Sequence, residues 1–421
     1  MSLSNNTVSR SRALTAFAVG TLFFAFAFVQ RVAPSVMTTE LMRDFSVGGA
    51  ALGTLSAWYF YAYAGIQLPV GMLTDRFGPR KLMSVAVALC AVGSFGFAAS
   101  ESLLAASFFR AMIGATVAFG FVGTLTIAGY WFAPARFAML AGVIQSVGMC
   151  GAMLGQAPLR YVVEQVGWRI TVGAMGVVAI ALAGLLFFIV PRRPRVGEAA
   201  SGQTNTFSGV KAVIVNPQSW VCAGIGFGMT AIMLAFAGLW AVPWLSSVLG
   251  YPVSTAAGVV SLLFLGWAIG APFMGWISDH IGKRKPVLLV GVICNILIFS
   301  AILFAGASSP LMLSILFFML GISGSMMTVS FGSMREVNSP QHSATAIGLI
   351  NMCVVGSGAV MQPVIGWLLD LGWSGQIVDG ARIYDADTYI AALTVLIASN
   401  ILALLCILFL RETYCRQLAE S

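Results

Sequence analysis

Charge is scarce in this 421-residue chain: Asp, Glu, Lys and Arg together make up 9% of it, against about 25% in ordinary soluble proteins. So few charges cannot cover a water-soluble body of this size, so lipid replaces water as the solvent. Histidine is almost absent, with only His280 and His342, both outside the apolar runs. Seven cysteines are scattered without a CxxC pair or a neighbouring histidine. They are read as packing residues, neither disulfides nor metal ligands. None of the fourteen Asp and Glu residues lies inside an apolar run; all fall in loops or at run ends. A bilayer-embedded catalyst needs converging nucleophile, base or metal ligands, so the chain is read as a non-enzyme with no metal and no cofactor. Missing too is a large soluble segment, which a receptor or scaffold would carry for its partner.

What is present is hydrophobic, at 59% of residues, with 46 glycines and 20 methionines suited to closely packed helices in a bilayer. Apolar runs of roughly 20 residues, enough to cross about 30 Å of hydrocarbon, occur twelve times. They cover residues 13–36, 48–72, 82–100, 103–129, 138–162, 168–190, 219–244, 255–277, 287–306, 310–333, 344–369 and 388–410. The one long connection, 191–218, holds Pro-Arg-Arg-Pro-Arg and a Gly/Ser/Thr/Asn-rich run. It reads as a linker between a first half, 1–190, and a second, 219–421. Sixteen of the 22 Lys and Arg fall on one side when the N-terminus is placed inside. The positive-inside rule then puts both termini and the linker in the cytoplasm, and the net charge of +8 reflects topology and no nucleic-acid partner. A cleaved leader over 10–30 is the competing reading, but it would leave eleven spans and unequal halves.

The halves repeat. Residues 71–81 read GMLTDRFGPRK and residues 275–285 read GWISDHIGKRK, an offset of 204. Pro158/Gly167/Trp168 and Pro363/Gly372/Trp373 match at an offset of 205. Parallel six-span repeats about an axis along the membrane normal are a transporter architecture, with the site between them near the midplane.

The loop Gly71-x-x-x-Asp75-Arg76-Phe77-Gly78-Pro79-Arg80-Lys81 resembles the signature loop of the major facilitator superfamily, with a degenerate copy in the second half. The resemblance covers nearly the whole chain. It implies an all-α integral membrane fold of twelve transmembrane helices in two pseudo-symmetric six-helix bundles, working as a monomer. It also implies a gating group: Gly71, Asp75, Arg76, Gly78 and Arg80, with Asp279, Gly282 and Arg284 in the copy. In the family the loop aspartate contacts neighbouring helix ends and holds the cytoplasmic gate in the outward-facing state.

Ionisable residues inside spans cost about 2.5–3.5 kcal/mol and are functional candidates by default. Arg31 leads, in Phe28-Val29-Gln30-Arg31-Val32-Ala33-Pro34, followed by Arg110 in the fourth span. With the second-span run Tyr59 to Pro69, the Arg31 segment resembles the organic-anion branch of the superfamily. That implies substrate carboxylate on Arg31 and a substrate hydrogen bond from Tyr63, four residues before Gln67. The bland readings are that Arg31 snorkels to headgroups and that Arg110 bonds the carbonyls of a neighbouring helix. Further candidates are Gln30, Tyr59, Gln67, Gln145, Trp240, Trp267, Asn295 and Asn351, each also an ordinary packing or interhelical hydrogen-bonding residue. The branch usually carries acids where this chain has Gln30 and Val117, which leaves little to carry a proton and favours anion exchange or facilitated diffusion. The expectation is a carrier of a small, anionic solute in a bacterial inner membrane. A proton-linked exporter of amphipathic compounds and an importer of nucleosides, amino acids or siderophores are the alternatives. A channel would differ in flux that neither saturates nor shows trans-stimulation.

Overall fold

The computed structural model describes residues 10–133, 136–191, 206–304 and 309–418. Among these, eleven helices are long and apolar enough to cross a bilayer: Ser11–Val36, Pro79–Ala99, Leu103–Trp131, Met139–Val166, Trp168–Ile189, Pro217–Leu249, Val253–Ile281, Lys285–Phe304, Pro310–Glu336, Thr345–Leu371 and Ala386–Phe409. They are spans one and three to twelve. Span two is present but divided at Ile66 into Gly49–Gly65 and Gln67–Phe77. Pro69 explains the break, since it offers no N–H to the carbonyl four residues back and its ring crowds that carbonyl. In the connection read as a plain linker, residues 192–205 lie outside the described part and Thr206–Val215 is helical. An antiparallel pair of short strands, Ile377–Val378 and Ala381–Arg382, follows span eleven; no periodicity in the sequence announced it.

Consecutive spans run up and down, so the loops rich in Lys and Arg share one face of the bundle, here the basic face. Equivalent helix pairs close in the same way in both halves. A Cβ at Gly114 of span four would overlap the Tyr59 carbonyl of span two, and one at Gly321 of span ten would overlap the Leu263 carbonyl of span eight. Between the halves, span two packs along span eleven and span five along span eight. At the face opposite the basic one, Gly49 meets Gly366 and Gly53 meets the Gln362 carbonyl. The two repeated loops turn on glycines with positive φ, Gly78 at 77° and Gly282 at 69°, a region costly for other residues.

In span seven, Ile232–Trp240 is π-helical, a rare geometry concentrated at functional sites. Side chains satisfy the widened turn: Gln362 Nε2 donates to the Leu234 carbonyl at 2.8 Å and Gln156 Nε2 to that of Ala237 at 3.4 Å.

At the basic face the C-terminal segment is stapled to span nine. Glu412 accepts from the N–H groups of Arg284 and Lys285, each at 2.9 Å, while Lys285 Nζ donates to the Leu408 carbonyl at 2.8 Å. Each group thus complements the exposed end of the other's helix. Burial would push the Glu412 carboxyl up, but the backbone N–H groups of Arg284, Lys285, Tyr414 and Thr413 outweigh it and hold the group below its ordinary value. A carboxyl lowered by folding stabilises fully above its unfolded pKa and loses that contribution as the pH falls through the folded one. Glu412→Gln is therefore expected to cost about 1 kcal/mol near neutral pH. In thermal melts of the detergent-solubilised protein, the gap to wild type narrows as the pH is taken below about 4; a gap independent of pH would contradict this cap.

Candidate functional site

The site grows out of a proline. Pro34 has no N–H for the Gln30 carbonyl, and the first span passes there from α-helix into a 3-10 turn, Ala33–Val36. Arg110 takes up the stranded acceptors, donating from Nη1 to the Gln30 carbonyl at 2.7 Å and from Nη2 to the Arg31 carbonyl at 3.0 Å. Its guanidinium also lies over the Tyr59 ring, 4.8 Å from the centroid.

Arg31 is in a different position. It is 6% exposed and so does not reach headgroups or acyl tails. Its guanidinium carbon lies 4.2 Å from the Phe28 ring centroid, 5.3 Å from that of Tyr63 and 5.7 Å from that of Tyr59. Tyr59 and Tyr63, one helical turn apart, are stacked at 6.2 Å. Tyr59 donates its hydroxyl proton to the Ala27 carbonyl at 3.0 Å, which fixes its ring between the two arginines. Among the described residues no carboxylate pairs with Arg31, and its Nε is buried without a hydrogen-bond partner. Aromatic faces compensate part of a buried charge, worth about 2 kcal/mol when desolvated. The Tyr59 and Tyr63 hydroxyls also meet the guanidinium, and among the described residues no carboxylate neutralises it.

A cavity of about 190 Å³ lies between the halves, lined by Gly142, Gln145, Ser146 and Met149 of span five, Trp267, Ala268, Ala271 and Pro272 of span eight, and Thr328 of span ten. No charged side chain lines it. Trp267 Nε1 is buried without a partner. The cavity occupies the half of the bundle nearer the basic face, whereas Arg31 lies towards the opposite one. Phe28, beside Arg31, has its ring against Gly148, next in sequence to the lining residue Met149, and neither Phe28 nor Arg31 lines the cavity.

The remaining candidates are placed as follows. Gln30 is buried and its amide donates to Ser94 Oγ at 2.9 Å, inside the first half. Trp240 donates to the Gln362 carbonyl at 3.1 Å. Asn295 bonds Asn400 and Ser323 at 3.2 and 2.9 Å, within the second half. Gln67 and Asn351 are half-buried. Sequence reasoning names Arg31, Tyr59, Tyr63 and Arg110, which the structure brings into one cluster, and Gln145 and Trp267, which it brings into another. It missed Phe28, Gln156 and Gln362, whose only signal is a polar or aromatic residue in an apolar run.

Of the repeated loops, Gly71 and the Asp75 side chain lie outside what the structure describes. Arg76 is exposed, and Arg80 lies over Phe187 of span six at 4.7 Å. In the second copy, Arg284 bonds Asp279 at 2.6 Å and Glu336 at 2.7 Å. These contacts stay within the second half.

The chain matches the model of the Major Facilitator Superfamily over residues 19–363 and 225–414. It is 23% identical over 375 residues to a probable sulfoacetate transporter of Cupriavidus necator, covering 83% of this chain and 85% of the relative. It is 24% identical over 298 residues to a gallate transporter of Pseudomonas putida, covering 64% of each. Among solved structures, it superposes on an inward-facing, unoccupied bacterial homologue of the human lysosomal transporter Spinster with a TM-score of 0.76, at 17% identity and 97% coverage of both chains. Fold, repeated loops and family match agree: the chain is a membrane transporter of the Major Facilitator Superfamily, not an enzyme.

Proposed function

We propose that this transporter carries small organic anions, carboxylates or sulfonates, by exposing a site between two six-helix halves alternately to each side of a bacterial inner membrane. The observation that carries this is Arg31: a buried guanidinium with no acid partner, framed by three aromatic rings. An isolated cation in a bilayer interior persists where something meets it, and a guanidinium fork meets a carboxylate or sulfonate with parallel charge-assisted hydrogen bonds. The names of the sulfoacetate and gallate transporters support that class. The halves are taken as residues 1–190 and 219–421, the basic face and both termini as cytoplasmic. The glycine contacts at the opposite face support reading this as the inward-facing state. Gln30 and Val117 cannot hold a proton, so the cycle reads as exchange or facilitated diffusion.

The test is uptake of labelled sulfoacetate, gallate, a sugar acid and a phosphate ester into vesicles reconstituted with purified protein. Saturable uptake of at least one, accelerated by unlabelled anion inside and not concentrated by an imposed pH gradient, is expected. Flux only of neutral or cationic amphiphiles would refute the anion assignment, and strong proton-driven accumulation would refute exchange.

A further inference from the structure

Span two starts without a capping side chain of its own. Its N-cap is Gly48, which has none, and the first-turn N–H groups of Gly49 and Ala50 are satisfied from the other half of the molecule. Gly49 donates to Asp370 Oδ1 at 3.0 Å and Ala50 to Asp370 Oδ2 at 2.9 Å. Asp370 ends span eleven. Tyr384 donates its hydroxyl to Asp370 Oδ1 at 2.6 Å, and Arg382 donates from Nη1 at 3.2 Å. The Tyr384 oxygen also accepts from Gly49 N–H at 2.8 Å, and Arg382 is steadied over Trp373 at 4.1 Å. A Cβ at Gly48 would lie 2.5 Å from the carboxylate, so glycine there is what admits it.

The supports of this carboxylate, Tyr384 and Arg382, belong to the segment following span eleven. Its acceptor role is exercised on span two. The carboxylate therefore moves with one half and its cap target with the other. A carboxylate at a helix N-terminus gains from the exposed N–H groups and the helix dipole. Spans two and eleven are antiparallel neighbours, so each ends beside the start of the other, one at each face. Asp75, near the end of span two, occupies the corresponding place in the sequence at the basic face.

We propose that Asp370 is the latch of the opposite face, a positioning residue that holds the transporter open to the basic face by capping span two in trans. The latch rests on the alternating-access reading above. Opening the opposite face separates the spans, breaks both N–H bonds and leaves the helix end to water.

The experiment is electron–electron double resonance on the full chain in lipid nanodiscs, with native cysteines replaced and spin labels at Glu101→Cys and Ser309→Cys. Both sites are exposed and lie at the opposite face, one in each half. Asp370→Ala is expected to raise the ratio of long to short distances about tenfold, the loss of charge-assisted hydrogen bonds at a helix end. Asp370→Asn and Tyr384→Phe raise it less, in that order. If Asp370→Ala fails to fold, Tyr384→Phe decides alone. An unchanged distribution in the folded variants, with anion transport intact, overturns the latch. A single distance population in every variant, with and without anion, overturns alternating access itself.

Discussion

Arg31→Ala is expected to lower anion transport in reconstituted vesicles about a hundredfold, with a smaller fall in melting temperature than Arg110→Ala produces. The size follows from the chemistry: charge-assisted hydrogen bonds to a buried guanidinium are worth about 3 kcal/mol together, and each 1.4 kcal/mol is a factor of ten. Arg31→Lys keeps the charge but loses the planar fork, so it recovers only part of the loss. The loss of stability is small because Arg31 meets only aromatic faces and tyrosine hydroxyls, and Tyr59 keeps its bond to the Ala27 carbonyl when the guanidinium is gone. Arg110→Ala provides the contrast. It strands the carbonyls of Gln30 and Arg31, and each unsatisfied buried acceptor costs about 1–3 kcal/mol, so it lowers the melting temperature first. Equal loss of stability in both variants would assign Arg31 to packing.

The second large effect is expected at Gly366. A Cβ there would overlap the Gly49 carbonyl across the boundary between the halves, and backbone cannot move aside as a side chain can. Gly366→Val therefore wedges the opposite face open. Trans-stimulated exchange should fall to the level of empty vesicles, while binding of anion to the purified protein persists. Gly356 serves as the control on the same span, because a Cβ there meets nothing within 4 Å. Gly356→Ala is expected to exchange normally. Normal exchange by Gly366→Val would mean that the glycine contact does not form during the cycle.

Much of this molecule was legible from hydropathy, because lipid leaves the chain little choice. A backbone in hydrocarbon must satisfy its own polar groups, so apolar runs of sufficient length become helices. The division of span two was foreshadowed by Pro69, whose consequence is local. The π-helical stretch was not, since Ile232–Trp240 has no composition that distinguishes it from an ordinary apolar helix. The Arg31 cluster could be read because its aromatic neighbours are close in sequence, one turn away on the same helix or in a run with a matching motif. Asp370 could not. In the sequence it is one more acid at a run end, and what sets it apart is a contact more than 300 residues away. Gln30 shows the converse: its place beside Arg31 suggested a cavity role, yet its amide turns to Ser94 of span three.

The central claim, that Arg31 binds the charged group of the cargo, is tested most directly by calorimetric titration of purified wild-type protein with a transported carboxylate and with its isosteric primary amide. One site per chain is expected for the acid and at least about a hundredfold weaker binding for the amide, with Arg31→Ala binding acid and amide alike. Comparable binding of acid and amide by the wild type would contradict the account.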